Sequence, residues 1–331
     1  MHVFVRPLLL ATLMTSTLGG CASSDTPIST ESPRVETVEG ASTLVYPAAR
    51  RSDQVDVLHG VRVADPYRWL EDADSEETSN WVQSQNGLTY GWLQKIPARA
   101  ALTERLTELW NTSRVEVPKV AGGKLFFRQS DGLLNQPNVY VLDRAALDQQ
   151  EPRSLIDPNT LSADGTIALT DFEPSPDGRY LAYGLSSGGS DWEEWRVRDV
   201  ASGRDLEERL SWVKFNQAAW SRDGSGFYYS RYDAPTPGAE LEQANYFQKL
   251  FYHRVGTPQS EDRLIHERRD AKELAFGADV TADGRYLVIT NWRGTELDNG
   301  MSILDLSQRA AKVVPLLDRF DAFYQFLGSD G

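Results

Sequence analysis

"EPSPDGRYLAYGLSSGGSDWEEW", residues 173–195, joins a tight turn to an alternating strand. Pro176-Asp177-Gly178 suits such a turn because proline presets φ and glycine tolerates positive φ. The same pattern returns as "AAWSRDGSGFYYSRY" at 218–232 and as "GADVTADGRYLVITNW" at 277–292. A related form, "PKVAGGKLFFRQSDG", precedes them at 118–132. The repetition predicts a mainly β fold built from copies of one unit.

The spacing of the repeat indicates which β fold this is. The Asp-Gly pairs of the three repeats begin at residues 177, 223 and 283, so successive spacings are 46 and 60 residues. The longer spacing contains the loop "DAPTPGAELEQANYFQ" at 233–248. A period of about 40–50 residues with four strands is typical of propeller blades. Stacked hairpins are the alternative, but a ring of blades leaves only short, protected sheet edges.

The blade pattern covers about four units, from 113 to roughly 318. We expect "FDAFYQFLGSDG" at 320–331 to start a fifth unit and to stop within its turn. The prediction is therefore an incomplete β-propeller over 113–331, truncated in the fifth blade, in a chain that is a fragment.

Residues 46–112 have a different periodicity and are predicted to be helical. Asp74 followed by Glu77 matches a capping box, and Trp81, Leu88 and Trp92 then recur at helical spacing. After Pro97 a second helical pattern runs through residues 102, 106, 109 and 110. A segment of this size makes a poor core alone, so we expect its apolar faces to pack on another domain.

Composition and charge exclude several classes of protein. The net charge of −14 argues against nucleic acid as a partner, because phosphates attract basic surfaces. The single cysteine, Cys21, excludes an internal disulfide and a multi-cysteine metal site. His2, His59, His253 and His266 lack the close spacing of metal ligands. We expect no cofactor and no metal.

The N-terminus reads as a targeting segment. Residues 1–20 have the n-region and short apolar stretch of a secretory signal. Leu18-Gly19-Gly20-Cys21 resembles a bacterial lipobox, which predicts lipidation at Cys21; a free cysteine beside an ordinary cleavage site is the alternative. Residues 21–45 are predicted to be a polar tether. These features predict a lipoprotein anchored in the bacterial cell envelope, on the periplasmic side.

Three quoted stretches carry a resemblance to a known family. "DPYRWLED" at 65–72, "YGLSSGGSDW" at 183–192 and "YHRVGTPQSED" at 252–262 occur in order, and the similarity runs from about Tyr46 to Gly331. Together they resemble the N-terminal part of the prolyl oligopeptidase family of serine peptidases. That family has a seven-bladed propeller over an α/β-hydrolase domain, so the resemblance implies that residues 46–112 pack on a hydrolase domain absent from this chain.

The resemblance also implies where catalysis resides. The family uses a serine on a nucleophile elbow with an aspartate and a histidine, all placed after the propeller. The Gly-x-Ser-x-Gly elbow is absent here, and Ser190 and Ser225 have the wrong spacing. We therefore predict no catalytic residue in the chain and an inactive fragment. Asp191 and Trp192 either face the internal cavity or pack between blades, with Asp191 capping the loop.

The leading hypothesis is the substrate-gating, N-terminal part of a peptidase that cleaves short proline-containing peptides by acyl transfer. The alternative is a noncatalytic lipoprotein propeller that acts as a binding module or scaffold. The predicted helical segment at 46–112 favours the first hypothesis, because a lone propeller would leave its two amphipathic helices exposed.

Overall fold

The computed structural model describes residues 44–240 and 243–329. These residues divide into two compact units with the boundary between Ile96 and Pro97.

The N-terminal unit contains a β-hairpin that the sequence analysis missed. Strand β1 (Val55–Leu58) pairs antiparallel with β2 (Val61–Ala64). The two-residue turn is His59-Gly60, with φ of 52° and 82°. Positive φ at both central positions is the geometry that matches the twist of a hairpin. The prediction that residues 46–112 are helical was therefore wrong at 55–64.

Helix α1 (Glu76–Leu93) follows, and its cap differs from the prediction. Ser75, not Asp74, is the N-cap: its hydroxyl accepts the Thr78 amide at 3.2 Å. Glu77 instead forms a two-pronged ion pair with Arg50, at 2.6 and 2.9 Å. Serine and aspartate are both good caps, so the sequence alone did not decide between adjacent positions.

The second unit starts with helix α2 (Arg99–Trp110) and continues as four antiparallel sheets. The first sheet contains β3 (Ser113–Val115), β4 (Lys119–Ala121), β5 (Lys124–Asp131), β6 (Asn138–Asp143) and β7 (Arg153–Ile156). The second contains β8 (Ile167–Pro174), β9 (Tyr180–Ser187), β10 (Glu193–Asp199), β11 (Arg204–Asp205) and β12 (Leu210–Val213).

The third sheet has β13 (Ala219–Trp220), β14 (Gly226–Arg231), β15 (Lys249–Arg254) and β16 (Arg263–Glu267). The fourth has β17 (Leu274–Val280), β18 (Tyr286–Arg293), β19 (Asn299–Asp305) and β20 (Val314–Leu317). Each sheet is a meander in which consecutive strands pair, apart from extra pairings of β4 and β12. The predicted four blades are confirmed, and the 233–248 insertion lies between β14 and β15 as expected.

Apolar clusters hold neighbouring sheets together in sequence order. Phe126 and Val139 of the first sheet pack with Leu181 and Tyr183 of the second. Trp195 of the second packs with residues of the third sheet that include Phe227 and Tyr229. The third and fourth sheets share a cluster of buried residues: Tyr228, Leu250, Leu274, Phe276, Leu287 and Ile289. Among the described residues no such cluster joins the fourth sheet to the first, so the propeller is open.

The predicted first strand of a fifth blade did not form. Residues 321–329 contain no strand, although Tyr324 and Asn299 exchange two hydrogen bonds of 2.8 and 2.9 Å. A strand exists only when paired, and no second strand accompanies this segment in the described part of the chain. Over the same described ranges, no helix has the length and apolar character needed to cross a membrane.

Candidate functional site in the propeller channel

Residues of the second, third and fourth sheets border a cavity of about 540 Å³, the inner-strand cavity. Strand β8 contributes Asp171, β10 contributes Glu193 and β17 contributes Asp279. The segment before β13 contributes Asn216, and β18 contributes Trp292. Sheets two, three and four therefore share one cavity, which exists only because the repeat arranges them side by side.

The cavity is acidic, and two of its three carboxylates, Glu193 and Asp279, form no ion pair in the described part of the chain. Burial raises the pKa of Asp279. Burial also raises the pKa of Glu193, against the opposing hydrogen bond that Trp195 Nε1 donates at 2.6 Å. Removing a carboxylate from water without a cationic partner disfavours its charged form. The inner surface would therefore gain from a positively charged ligand.

Next to the cavity, the carboxylate of Glu173 has a lysine partner. Lys119 of β4 bonds Glu173 of β8 directly and lies 3.7 Å from Asp171. Burial raises the pKa of Glu173; the charge and hydrogen bond of Lys119 oppose this, while the charges of Asp171 and Asp279 add to it. Lys119 is thus engaged by Glu173, outside the cavity lining, and lies near Asp171, which belongs to that lining.

Three residues that line the cavity each carry a buried side-chain atom with no hydrogen-bond partner in the structure. These atoms are Thr170 Oγ1, Asp171 Oδ2 and Asn216 Nδ2. Asn216 is only 9% exposed, and its Oδ1 accepts the Ser230 amide at 2.8 Å, which fixes the orientation of the side-chain amide. A buried, unpaired donor is rare and calls for a partner.

Asp191 and Trp192, on the loop after β9, lie in different surroundings. Trp192 packs edge-on against Trp212 and Tyr232, at ring separations of 5.5 and 6.1 Å. Its indole donates to the Glu240 carbonyl at 2.8 Å, and Lys214 Nζ lies 3.9 Å above its ring. Trp192 thus joins the second and third blades, while it also borders a 260 Å³ pocket beneath the 233–248 loop.

Asp191 is exposed, and its charge acts on the Lys214 ammonium that lies over the Trp192 ring. Burial lowers the pKa of Lys214, and the charge of Asp191 opposes that effect. The pair therefore keeps an ammonium against the indole of Trp192 without a direct ion pair.

The two serines in elbow-like sequences stabilise their own turns. Ser225 bonds Asp223 at 2.8 Å and the hydroxyl of Tyr252 at 2.9 Å. Ser190 accepts the Trp192 amide at 3.1 Å. Cys21, the predicted lipidation site, and His2 lie outside the described residues. Across 44–240 and 243–329, no set of three His, Cys, Asp or Glu side chains is arranged to hold a metal ion.

Sequence reasoning missed one buried charged network, centred on His253. Its Nδ1 lies 2.7 Å from Asp262 Oδ1, and its Nε2 lies 3.9 Å from Glu208 Oε1. Tyr229 donates its hydroxyl to the second oxygen of Asp262. Asp262 lies nine residues after His253, but Tyr229 and Glu208 are distant in sequence. Tyr229 is brought close by the pairing of β14 with β15, and Glu208 lies on the segment before β12.

Comparison with known proteins places this geometry in context. Residues 46–331 match the family model described as "Prolyl oligopeptidase, N-terminal beta-propeller domain". The prolyl endopeptidase of Elizabethkingia meningoseptica is 34% identical over 293 residues, covering 88% of this chain and 41% of that protein. Prolyl oligopeptidase A of Amanita bisporigera is 32% identical over 323 residues, covering 87% and 42%.

Solved structures give the same result. Prolyl oligopeptidase B from Galerina marginata, bound to a 35mer hydrolysis and macrocyclization substrate, is similar with a TM-score of 0.71 at 27% identity. That match covers 86% of this chain and 43% of the solved one. A structure from a study of two prolyl endopeptidases matches with a TM-score of 0.62 at 34% identity, covering 86% and 41%. The chain therefore spans about two fifths of the length of the relatives it matches.

Proposed function

The chain belongs to the prolyl oligopeptidase family through its N-terminal β-propeller domain, and from that premise we propose that it is the substrate-gating part of a serine peptidase. The proposed reaction is cleavage of short proline-containing peptides by acyl transfer. The catalytic serine, aspartate and histidine belong to the C-terminal α/β-hydrolase domain that the family places after the propeller.

The observation that carries the proposal is the cavity at the inner strands of a propeller of this family. Its volume, about 540 Å³, lies within the range of roughly 300–1,000 Å³ typical of small-ligand sites. A space of this size accepts an extended peptide segment and excludes a folded domain. The blades would thereby select short substrates and keep bulk water from the reacting bond.

The residues of this chain would bind and orient the peptide and leave the covalent step to the partner domain. Polar side chains of β8, β10 and β17 face the cavity and offer hydrogen-bond acceptors to the substrate backbone. Holding a flexible peptide in one orientation removes much of the entropic barrier to reaction.

The test is a fusion of the whole 331-residue chain to the C-terminal remainder of the Elizabethkingia meningoseptica prolyl endopeptidase. We expect the fusion to hydrolyse a proline-containing chromogenic peptide, to be inhibited by a serine-directed phosphonate, and to leave a folded protein uncut. The 331-residue chain alone should show no turnover. Phosphonate-sensitive turnover by the chain alone would contradict the proposal, and a folded but inactive fusion would favour a noncatalytic binding module.

We also propose that the protein is a lipoprotein of the bacterial cell envelope, with lipid on Cys21. The support is Leu18-Gly19-Gly20-Cys21 after an apolar run. Acyl chains contribute roughly 0.8 kcal/mol per buried methylene, so two or three chains anchor firmly. Mass spectrometry of the mature N-terminus in a bacterial host should find a modified Cys21. An unmodified Cys21, or cleavage elsewhere, would remove the anchor.

A further inference from the structure

We propose that the inner-strand cavity is a recognition site for a positively charged group of a peptide. In this site the carboxylates of Asp171, Glu193 and Asp279 receive an ammonium or guanidinium group, and the Asn216 amide donates to an adjacent peptide carbonyl. The inference deepens the proposed function, since its ligand is a peptide substrate, and it adds a charge preference to that function.

The charge distribution favours a cation. Three carboxylates border the cavity, and no lysine or arginine is among the described residues that line it. The closest cation named above, Lys119, is engaged by Glu173 and Asp171. Low-dielectric walls focus the field of like charges, so a cleft of one sign concentrates the opposite ion.

Asn216 supplies an independent observation that indicates what accompanies the cation. Its side chain is more than nine-tenths buried, and Oδ1 is held by the Ser230 amide at 2.8 Å. Asn216 lines the cavity, and its buried Nδ2 has no acceptor in the structure. A carbonyl oxygen satisfies such a donor, and a bare cation does not. A peptide carries a cationic group and a carbonyl close together.

The cavity wall also suits an organic cation. Trp292 borders it, and its ring packs over Gly277, where an added Cβ would lie 2.8 Å from the ring. The indole face attracts ammonium and guanidinium groups. The carboxylates do not converge into a metal-binding set within the described residues. These features favour a peptide group over a divalent ion.

The test measures binding to the whole 331-residue chain by calorimetry at pH 7.5, without hydrolysis. Three amidated probes separate the two sources of positive charge: free Gly-Ala-Pro-Gly, acetyl-Gly-Ala-Pro-Gly and acetyl-Arg-Ala-Pro-Gly. We expect at least one cationic probe to bind about tenfold more tightly than the neutral acetylated one, and the preference to weaken with added salt. The first probe reports an α-ammonium site and the third a basic side-chain site.

The variants are Asp279→Asn and Glu193→Gln, each of which removes a charge at nearly constant volume. Either should reduce the preference for the cationic probe about tenfold, while Glu207→Gln, at an exposed carboxylate outside the cavity, should retain it. Circular dichroism checks that each variant is folded. If one of the two carboxylate variants unfolds, the other one provides the test.

Three results would overturn the proposal. The neutral probe binding as tightly as the cationic ones would do so, as would cation preference that survives both carboxylate variants. Displacement of the peptide by Ca²⁺ or Mg²⁺ alone at equal stoichiometry would assign the carboxylates to a metal. A fusion that hydrolyses peptides while the chain shows no charge preference refutes only this inference. Charge preference with an inactive fusion refutes only the peptidase.

Discussion

His253 is a fully buried imidazole whose neighbours are two carboxylates. Burial alone would lower its pKa, but the hydrogen bond and charge of Asp262 and the charge of nearby Glu208 outweigh burial, so the pKa of His253 lies above 6.5. Burial likewise works to raise the pKa of Glu208, but its contacts with His253 and the Gly256 amide lower it below 4.5. The network therefore favours the ionised pair.

This network should make stability depend on pH in a defined direction. A raised histidine pKa stabilises the fold fully below about 6.5, and the contribution disappears as pH rises through the higher folded pKa. A lowered glutamate pKa stabilises above about 4.5, and its contribution disappears as pH falls. We expect the stability difference between the protein and His253→Gln to be largest near pH 5–6 and to shrink as the pH rises towards 9.

Thermal unfolding of both proteins across pH 4–9 measures this difference. His59→Gln is the matched control, because His59 lies exposed in the β1–β2 turn. A His253→Gln curve parallel to that of the unchanged protein over the whole range would contradict the charged-histidine interpretation.

The residue-scale chemistry was the part least accessible from sequence. Asp177, Asp223 and Asp283 could be assigned to turns, because an aspartate beside glycine has a local consequence. His253 and Glu208 could not be linked, since 45 residues separate them and no local pattern relates them. The same holds for Asp171, Glu193 and Asp279, which share a cavity only after three sheets assemble.

The repeated turns have a packing role between blades. The Gly122 amide donates to the Pro176 carbonyl at 3.0 Å, so the turn of the first sheet bonds the turn of the second. Gly224 then approaches the Asp177 carboxylate, and Gly284 approaches the side chain of Arg222. Glycine recurs in these turns because each has positive φ and a neighbouring turn close by. The turn sequence therefore recurs because each blade's turn packs against the turn of its neighbour.

Gly122→Ala tests the contact between turns, and Gly123→Ala is its neighbour-matched control. At Gly122 an added Cβ would lie 1.9 Å from the Asp177 carbonyl oxygen, which is backbone and cannot rotate away. At Gly123, φ is also positive, at 74°, but no atom lies within 4 Å. We expect Gly122→Ala to lower the free energy of unfolding by roughly 3 kcal/mol or more, and Gly123→Ala by about 1 kcal/mol.

Chemical denaturation of the two variants gives both values. Equal losses would mean that backbone conformation alone requires these glycines and that the turns do not depend on one another.

Among the secondary-structure elements, those marked by alternating strands and turn residues were predicted correctly from the sequence. Four meanders and the long insertion followed from Gly-containing turns and period-two strands. The hairpin at 55–64 was missed although "VDVLHGVRVA" alternates around His59-Gly60, because the helical pattern after it dominated the segment. The strand expected after residue 320 was wrong because alternation signals a strand only where a partner completes its hydrogen bonds.

In the whole molecule, stability is distributed over contacts between neighbours. Three apolar clusters join four sheets, so each inner blade is covered on two faces and each outer blade on one. Arrays of this kind are stabilised by nearest-neighbour interfaces, and their terminal units need covering.

Helix α2 also exposes apolar side chains. Leu102, Leu106, Leu109 and Trp110 are each 51–58% exposed, although they recur at helical spacing. Phe323 and Leu327 near residue 329 are exposed as well. Since contiguous apolar surface promotes association, the face of α2 is expected to be covered by another protein surface in the cell.

The isolated 331-residue chain should therefore self-associate and bind a hydrophobic dye more strongly than a closed propeller of similar size. Leu102→Ser with Leu106→Ser should lower dye fluorescence at least twofold without lowering the melting temperature, because both side chains are more than half exposed. Leu297→Ser, at a leucine that is 82% exposed on the loop after β18, is the control and should change neither. Sedimentation velocity and dye titration measure both effects. A monodisperse monomer with a sharp, cooperative melt and no dye binding would contradict the argument. It would mean that the four blades close on themselves in solution, and it would favour the binding-module hypothesis over the gate of a peptidase.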